Sequence, residues 1–397
     1  MDRAGTDRRP REDVPFRVVD ADGREVELLY SSPRPATDHD EMEVLRQLPW
    51  FEPGKPTRNW MLHEIDFADE VEEIWGRPWG AEGIGTLREV LVAAPTENET
   101  RDEYAREWQY YYSSARGNAD LGRLRAQFDE YYQVLADNGV RVNRLEPPVP
   151  AIGSYGYLKN LVTLAGAGLC VHGGLIVHRM GLGSWQRGRE AIWSNALTAL
   201  QVPIYLTIHG RGVGEPGAGR WLDSDTFVFN ESVVANEEGL RQIRWVLEGL
   251  GVEMITTHSP GWVDTIGEGN IGTSHADMFL MVPDEGLAVL APHLVNYGFV
   301  HELKRRGFKI IEVPVEEYWD LAVNGVTLAP GKVVMNAGSS TVVKALEKEG
   351  VEVIQVDFSE SQRFAIAGLH CATLELVRDQ PGRQPADRGS NGASAGG

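Results

Sequence analysis

Apolar runs of strand length recur along this chain, each interrupted by a short polar or glycine-rich turn. Four segments carry the pattern most clearly: Asn160–Leu175, Asp225–Asn236, Asp277–Ala291 and Lys332–Lys344. The first three read as two-stranded hairpins with turns at Ala165–Gly168, Asn230–Ser232 and Pro283–Gly286, since apolar runs flanking a Gly, Asn or Pro turn are what a hairpin requires. The fourth gives one strand and then a helix, with helical spacing from Ser340 and Gly350 as the C-terminal cap. The same spacing predicts helices over Glu103–Asn138, where Tyr111, Leu121, Leu124, Phe128, Tyr132 and Leu135 share a face, over Glu238–Leu250 and over Val295–Arg306. A short strand follows each of them, Val140–Val142, Glu253–Thr256 and Phe308–Val313, and Leu87–Thr96 is an earlier strand of the same kind. The recurring unit is strand, turn, strand, helix, strand. Such repeats predict an α/β fold whose units arrange about an axis with their loops meeting at one end.

Residues 1–13 and 379–397 read as disordered tails, and no linker divides 81–378, which is read as a single domain. Residues 14–80 form an N-terminal extension without assigned structure; its tryptophans (Trp50, Trp60, Trp75 and Trp79) either pack on the core or form a subunit contact, so a homo-oligomer stays open. A formal charge of −20 argues against nucleic acid and anionic membrane as partners, because both need a basic footprint. It is compatible with a small cationic substrate. No run of 18 apolar residues exists, residues 1–13 lack the apolar core of a signal peptide, and two cysteines make no disulfide framework, so a reducing cytoplasm is the default location.

Against this ordinary background two polar clusters stand out. Cys371 lies in Gly368-Leu369-His370-Cys371-Ala372-Thr373, beside a histidine and after a glycine that allows close backbone approach. A single Cys in an apolar strand is usually a small core residue, as Cys170 is read to be, but the polar flanks of Cys371 favour a nucleophile. The base it would need comes from elsewhere in the chain: His275-Ala276-Asp277 puts His and Asp on one face of an extended segment, although strand entry and a capping Asp explain the pair equally well. Asp223-Ser224-Asp225, next to Trp221 and Phe227, sets two carboxylates at an aromatic rim suited to a guanidinium, or else caps a turn. The other histidines show no zinc spacing, and Gly210–Arg220 lacks the strand-to-helix context of a phosphate loop and reads as a mobile loop.

Taken together, these clusters resemble the guanidino-group-modifying superfamily of amidinotransferases, arginine deiminases and dimethylarginine dimethylaminohydrolases. The resemblance covers about 80–375 and is closest to the amidinotransferases in the stretch from Gly331 through Ser361 into Gly368-Leu369-His370-Cys371-Ala372-Thr373. It implies a five-bladed α/β propeller of ββαβ-like pseudo-repeats. It implies Cys371 as nucleophile, His275 as acid and base, and Asp223 as the carboxylate that orients His275. Asp277 would grip the guanidinium, with Asn160, Asp225, His370 and Arg363 as further substrate contacts. The deiminase Glu-Gly-Gly-Asp motif is missing, and Asn160 stands where most of the superfamily has an Asp, which supplies no charge to the pair. The implied activity is transfer of an amidino group from arginine or a related donor to an amine through a Cys371 amidino-thioester. The alternative is hydrolysis, as a deiminase or dihydrolase, with water as acceptor. Neither calls for a metal or an organic cofactor.

Overall fold

Five small sheets repeat one order of elements: an antiparallel strand pair, a helix, and a third strand that returns parallel to the second. In the computed structural model, residues 17–24, 46, 67, 71, 78–100, 119–153, 156–158, 160–181, 187–258 and 275–380 are described. After β1 (Arg17–Val19), the first unit runs β2 (Leu87–Ala93), α1 (Leu121–Asp137) and β3 (Arg141–Glu146). A short pair, β4 (Ile152–Gly153) and β5 (Gly156–Tyr157), leads to β6 (Gly168–Val171), β7 (Gly174–Val177), α2 (Arg189–Ala199) and β8 (Ile204–Thr207). The third unit is β9 (Gly219–Trp221), β10 (Thr226–Glu231), α3 (Glu237–Gly249) and β11 (Glu253–His258). The fourth is β12 (Leu280–Asp284), β13 (Leu287–Leu290), α4 (Tyr297–Arg305) and β14 (Lys309–Glu312), and the fifth β15 (Val326–Ala329), β16 (Lys332–Asn336), α5 (Ser340–Lys348) and β17 (Glu352–Val356). Finally α6 (Ser359–Ala365) leads to β18 (Leu374–Arg378), which pairs antiparallel with β2 and so supplies the first unit's missing strand from the far end of the chain. The resulting orders are β1-β3-β2-β18, β6-β7-β8, β9-β10-β11, β12-β13-β14 and β15-β16-β17.

Local chemistry accounts for the helices. Asp120 caps α1 by accepting the Arg123 N–H at 3.0 Å, and Leu124, Phe128, Tyr131, Tyr132 and Leu135 form its buried stripe. Only the second half of the predicted Glu103–Asn138 helix is thereby seen, since 101–118 lie outside the described residues. α5 stops as expected, with Gly350 at φ +89° just past its end. Two hairpins sit elsewhere than the pattern placed them. The first turns at His172-Gly173, after a 3₁₀ turn over Leu164–Ala167. The second turns at 222–225, because Gly219–Trp221, which reads as loop, is its first strand. Short runs of Gly and alternating apolar residues fit either register, and packing decides.

The sheets are apolar on the faces they press together. Trp79 is buried in one such cluster with Trp193, Leu175 and Leu376, so it packs on the core; Trp50, Trp60 and Trp75 lie outside the described residues. Among the described residues no helix is long and apolar enough to cross a membrane.

Candidate active site

Three segments meet at Cys371. The first is the turn over 369–372 that delivers the chain into β18. Cys371 is half-buried on it, and Thr373 fastens it: its Oγ1 donates to Leu369 O at 2.8 Å and pairs with the buried Tyr131 hydroxyl at 2.6 Å. Ala165 N–H holds the Cys371 carbonyl at 3.0 Å, which ties the first hairpin's 3₁₀ turn to the backbone of Cys371. Cys371 therefore sits in a tight turn and not in a strand.

The second segment carries His275 and Asp277. It is a 3₁₀ turn, Ala276–Met278, and not the extended stretch expected, yet it still presents both side chains to one place. Asp277 is 1% exposed; its Oδ2 accepts from His370 Nδ1 at 2.9 Å and lies 3.7 Å from Cys371 Sγ. Its Oδ1 is buried without a hydrogen-bond partner.

The third segment is the Gly-rich stretch that reads as a mobile loop. Gly210 and Arg211 are exposed, but Gly214–Gly219 is buried structure, with a 3₁₀ turn over Pro216–Ala218 running into β9. Glu215 opens it. Its Oε1 accepts the Gly181 N–H at 2.8 Å and its Oε2 lies 3.0 Å from His275 Nε2. Glu215 therefore holds the place expected of Asp223. Asp223 and Asp225 are exposed in the hairpin turn at 222–225, where Asp223 Oδ1 caps the Asp225 N–H at 3.0 Å. The turn backbone thus takes up the Asp223 carboxylate. Arg363 is engaged by the Glu360 carboxylate on α6, whose Oε1 also takes the Asp120 N–H at 2.7 Å next to α1. Asn160 is buried in the left-handed region at φ +56°, which Asn tolerates better than most residues. Its N–H and that of Leu161 donate to the buried Glu99 carboxylate at 2.7 and 3.0 Å, and its Oδ1 has no hydrogen-bond partner. Structure thus brings His275, Asp277, His370 and Cys371 together and leaves Asp223, Asp225 and Arg363 in other roles.

A residue with no signal in the sequence joins two of these segments. Asn324 is 1% exposed; its Oδ1 accepts the Cys371 N–H at 3.2 Å, its Nδ2 donates to Asp277 O at 3.0 Å, and its own carbonyl accepts the His370 N–H at 3.0 Å. Gly368 is required above it, since a Cβ there would stand 2.6 Å from Asn324 Oδ1. Replacing Asn324 with Ala leaves two buried backbone groups unpaired, at about 1–3 kcal/mol each. We expect a destabilised protein whose kcat falls about tenfold or more while KM changes little, checked by denaturation and steady-state kinetics. An unchanged kcat would remove Asn324 from the positioning of Cys371.

The protonation states follow from burial and partners. Burial pulls the His275 imidazole down, but the hydrogen bond and charge of Glu215 outweigh it, so its pKa is raised. Burial favours the neutral acid at Asp277, yet His370 and the nearby charges win and its pKa is lowered. His370 is lowered by burial and by Arg220, so at neutral pH a neutral His370 donates Nδ1–H to an ionised Asp277. Burial first, and then Asp277, push the Cys371 thiol up; the resting group is a thiol rather than a thiolate. Arg220 is half-buried, with its guanidinium on three backbone carbonyls, Leu280 at 3.1 Å, Val323 at 3.3 Å and Gly325 at 3.2 Å, so its charge remains to act on Asp277, Glu375 and Cys371. A cavity of about 70 Å³ adjoins His370 and is walled by His178, Arg220, Thr373, Glu375 and Arg378.

Gly217 packs closely against both His275 and Asp277. A Cβ on it would lie 3.0 Å from His275 Nδ1 and 3.2 Å from Asp277 Oδ1. Gly217→Ala should therefore fold but push His275 by a few tenths of an ångström, and kcat is expected to fall about tenfold, given that a displacement of ~1 Å can cost 10²-fold. A wild-type rate would show that nothing reacts beside Gly217.

A thiol, a carboxylate-held imidazole and a second carboxylate with one open oxygen are the groups that covalent attack on an electrophilic carbon requires. Residues 220–378 match the family model for arginine deiminase. The chain is 25% identical over 362 residues to a 2-nitroimidazole nitrohydrolase of Mycobacterium sp. (strain JS330), spanning 86% of this chain and 94% of that protein. The fold is that of dimethylarginine dimethylaminohydrolase from Pseudomonas aeruginosa, with TM-score 0.59 and 22% identity over 73% of this chain and 99% of that one. It is equally similar to SxtG, an amidinotransferase of the saxitoxin biosynthetic pathway from Microseira wollei, with TM-score 0.60 and 17% identity over 77% and 98%.

Proposed function

We propose that this chain is a member of the guanidino-group-modifying superfamily, supported by the arginine deiminase model and by the shared fold, and that within it the chain is a thiol-dependent hydrolase cleaving a leaving group from an amidine-type carbon, one bonded to two nitrogens. The five sheets are taken as the five blades of a propeller whose last strand, β18, closes the ring on β2, with residues 81–378 as one catalytic domain. Each small sheet is too narrow to bury both faces alone, which is why neighbouring blades must pack on it.

The observation that carries the reading is the Glu215–His275 pair at 3.0 Å, with Asp277 acting on the same imidazole and lying 3.7 Å from Cys371 Sγ. His275 Nε2 faces Glu215, which leaves Nδ1 for proton exchange. Cys371 gives its proton to His275 as Sγ bonds the substrate carbon; the C–X bond breaks, and His275 passes the proton to the leaving group where that group needs one and to solvent where it does not, which returns the imidazole to neutral. Water then attacks the thio-linked carbon, His275 takes its proton, and the S–C bond breaks to restore the thiol. Each half-reaction uses one base, alternately protonated and neutral. Support for water as acceptor comes from the deiminase model and from the nitrohydrolase, which aligns along nearly its whole length. C2 of 2-nitroimidazole and the central carbon of arginine are both carbons of the required type.

A second reading, amidinotransfer, is favoured by the segment His370-Cys371-Ala372-Thr373 and differs only in the acceptor. The test is turnover of 2-nitroimidazole and of arginine in H₂¹⁸O with no amine present, followed by intact-protein mass spectrometry after an acid quench. Nitrite or ammonia released with ¹⁸O in the organic product supports the hydrolase. A lasting Cys371 adduct that turns over only when an amine is added would replace it with the transferase.

A further inference from the structure

The carboxylates around Cys371 already have hydrogen-bond partners. Asp277 Oδ2 is taken by His370 Nδ1 at 2.9 Å and faces Cys371 Sγ at 3.7 Å, which leaves Oδ1 as its one open oxygen. Arg220 acts on the same carboxylate from the core, and its guanidinium hydrogen bonds go to carbonyls rather than to an acid. Glu215 is bound by His275, and Glu375 by Arg378, whose Nε and Nη2 donate to its two oxygens at 2.8 and 2.6 Å. At 160 the side chain is a neutral amide, and it has reason to be: its own N–H binds the buried Glu99 carboxylate at 2.7 Å, so an Asp there would set a second buried anion beside the first.

A guanidinium is recognised by carboxylates that meet its planar fork with two oxygens, and stripping its water without such partners is unfavourable. Among the described residues this site offers Asp277 Oδ1 alone. We propose that the substrate is an uncharged planar amidine, such as C2 of a 2-substituted azole, and not a guanidinium cation. The inference rests on the thiol-hydrolase reading and adds the charge of the substrate to it. A neutral substrate receives one hydrogen bond from a ring or amidine N–H to Asp277 Oδ1. Because it brings no positive charge to draw the proton off Cys371, that proton must pass to His275. Bond making and breaking are as above: the Cys371 S–H proton moves to His275, S–C forms, C–X breaks, and water restores the thiol.

Two probes of similar size separate the possibilities, 2-chloroacetamidine, a cation, and 2-chloroacetamide, its neutral counterpart. Both alkylate thiols by displacing chloride, and Cys371 labelling is followed by intact-protein and peptide mass spectrometry, with each rate divided by that for glutathione. For the wild-type protein the cation-to-neutral ratio should lie within about threefold of one. In His370→Ala, which releases Asp277 Oδ2, it should rise tenfold or more. A wild-type ratio above ten overturns the proposal, as does an unchanged ratio in a His370→Ala protein that still labels. Failure of both probes at Cys371 would overturn the nucleophile itself, and the proposal with it, which keeps the two failures distinct.

Discussion

Cys371→Ser is expected to lower kcat/KM by on the order of 10⁴-fold or more with the fold intact, since losing the nucleophile of a nucleophile–base pair carries a loss of that size. The backbone that places residue 371 does not depend on sulfur. Its N–H goes to Asn324 Oδ1 at 3.2 Å and its carbonyl to Ala165 N–H at 3.0 Å, and neither bond changes in the variant. What changes is the acid. Cys371 is already pushed up by burial and by Asp277, and a serine hydroxyl starts far higher, so His275 has no accessible anion to make. Turnover should vanish while the denaturation midpoint stays near that of the wild type. Activity retained within tenfold would mean that Cys371 only packs the turn.

Glu215→Gln should come next in size, with kcat down about 10³-fold, a loss typical of removing the carboxylate that orients a catalytic imidazole. The carboxylate sets two properties of His275. Through the 3.0 Å contact at Nε2 it places the imidazole proton there and leaves Nδ1 free to accept; a Gln amide can donate to Nε2 and so force the proton onto Nδ1, where it blocks the reaction. Glu215 also raises the His275 pKa against burial, which pulls it down. The sign of the pH effect follows. His275 must be neutral to take the thiol proton, so wild-type activity rises with pH through a pKa above the ordinary imidazole value. Without Glu215, burial prevails, and the acidic limb of the kcat/KM profile should move to lower pH. The Gly181 N–H bond at 2.8 Å can pass to the Gln carbonyl, so the loss should not come from unfolding. A lower rate with an unmoved limb would show that Glu215 supports the turn without tuning His275.

Periodicity was legible wherever helix or strand was long enough to show it. The predicted Glu238–Leu250 and Val295–Arg306 appear as α3 and α4 within two residues at each end, and Pro283–Gly286 is the turn of the third hairpin. His275, Asp277, His370 and Cys371 were also legible, because a lone polar cluster in an apolar setting is a local signal. Glu215 was overlooked for a physical reason: it sits among glycines and a proline, which punctuate loops, although it is the one acid between Gly210 and Arg220. Asn324 offered nothing to read, since its side-chain contacts are to residues 46 and 47 positions away.

By itself the sequence determined the repeating strand–strand–helix–strand unit and the residue types able to do the chemistry, because both depend on spacing within one segment. Only the tertiary structure decided which carboxylate faces His275, why Asp223 cannot, and how far Asp277 is already engaged. Those choices depend on distances between segments some 60 and 90 residues apart, such as Glu215 to His275 and Asp277 to His370, and burial then turns such distances into protonation states.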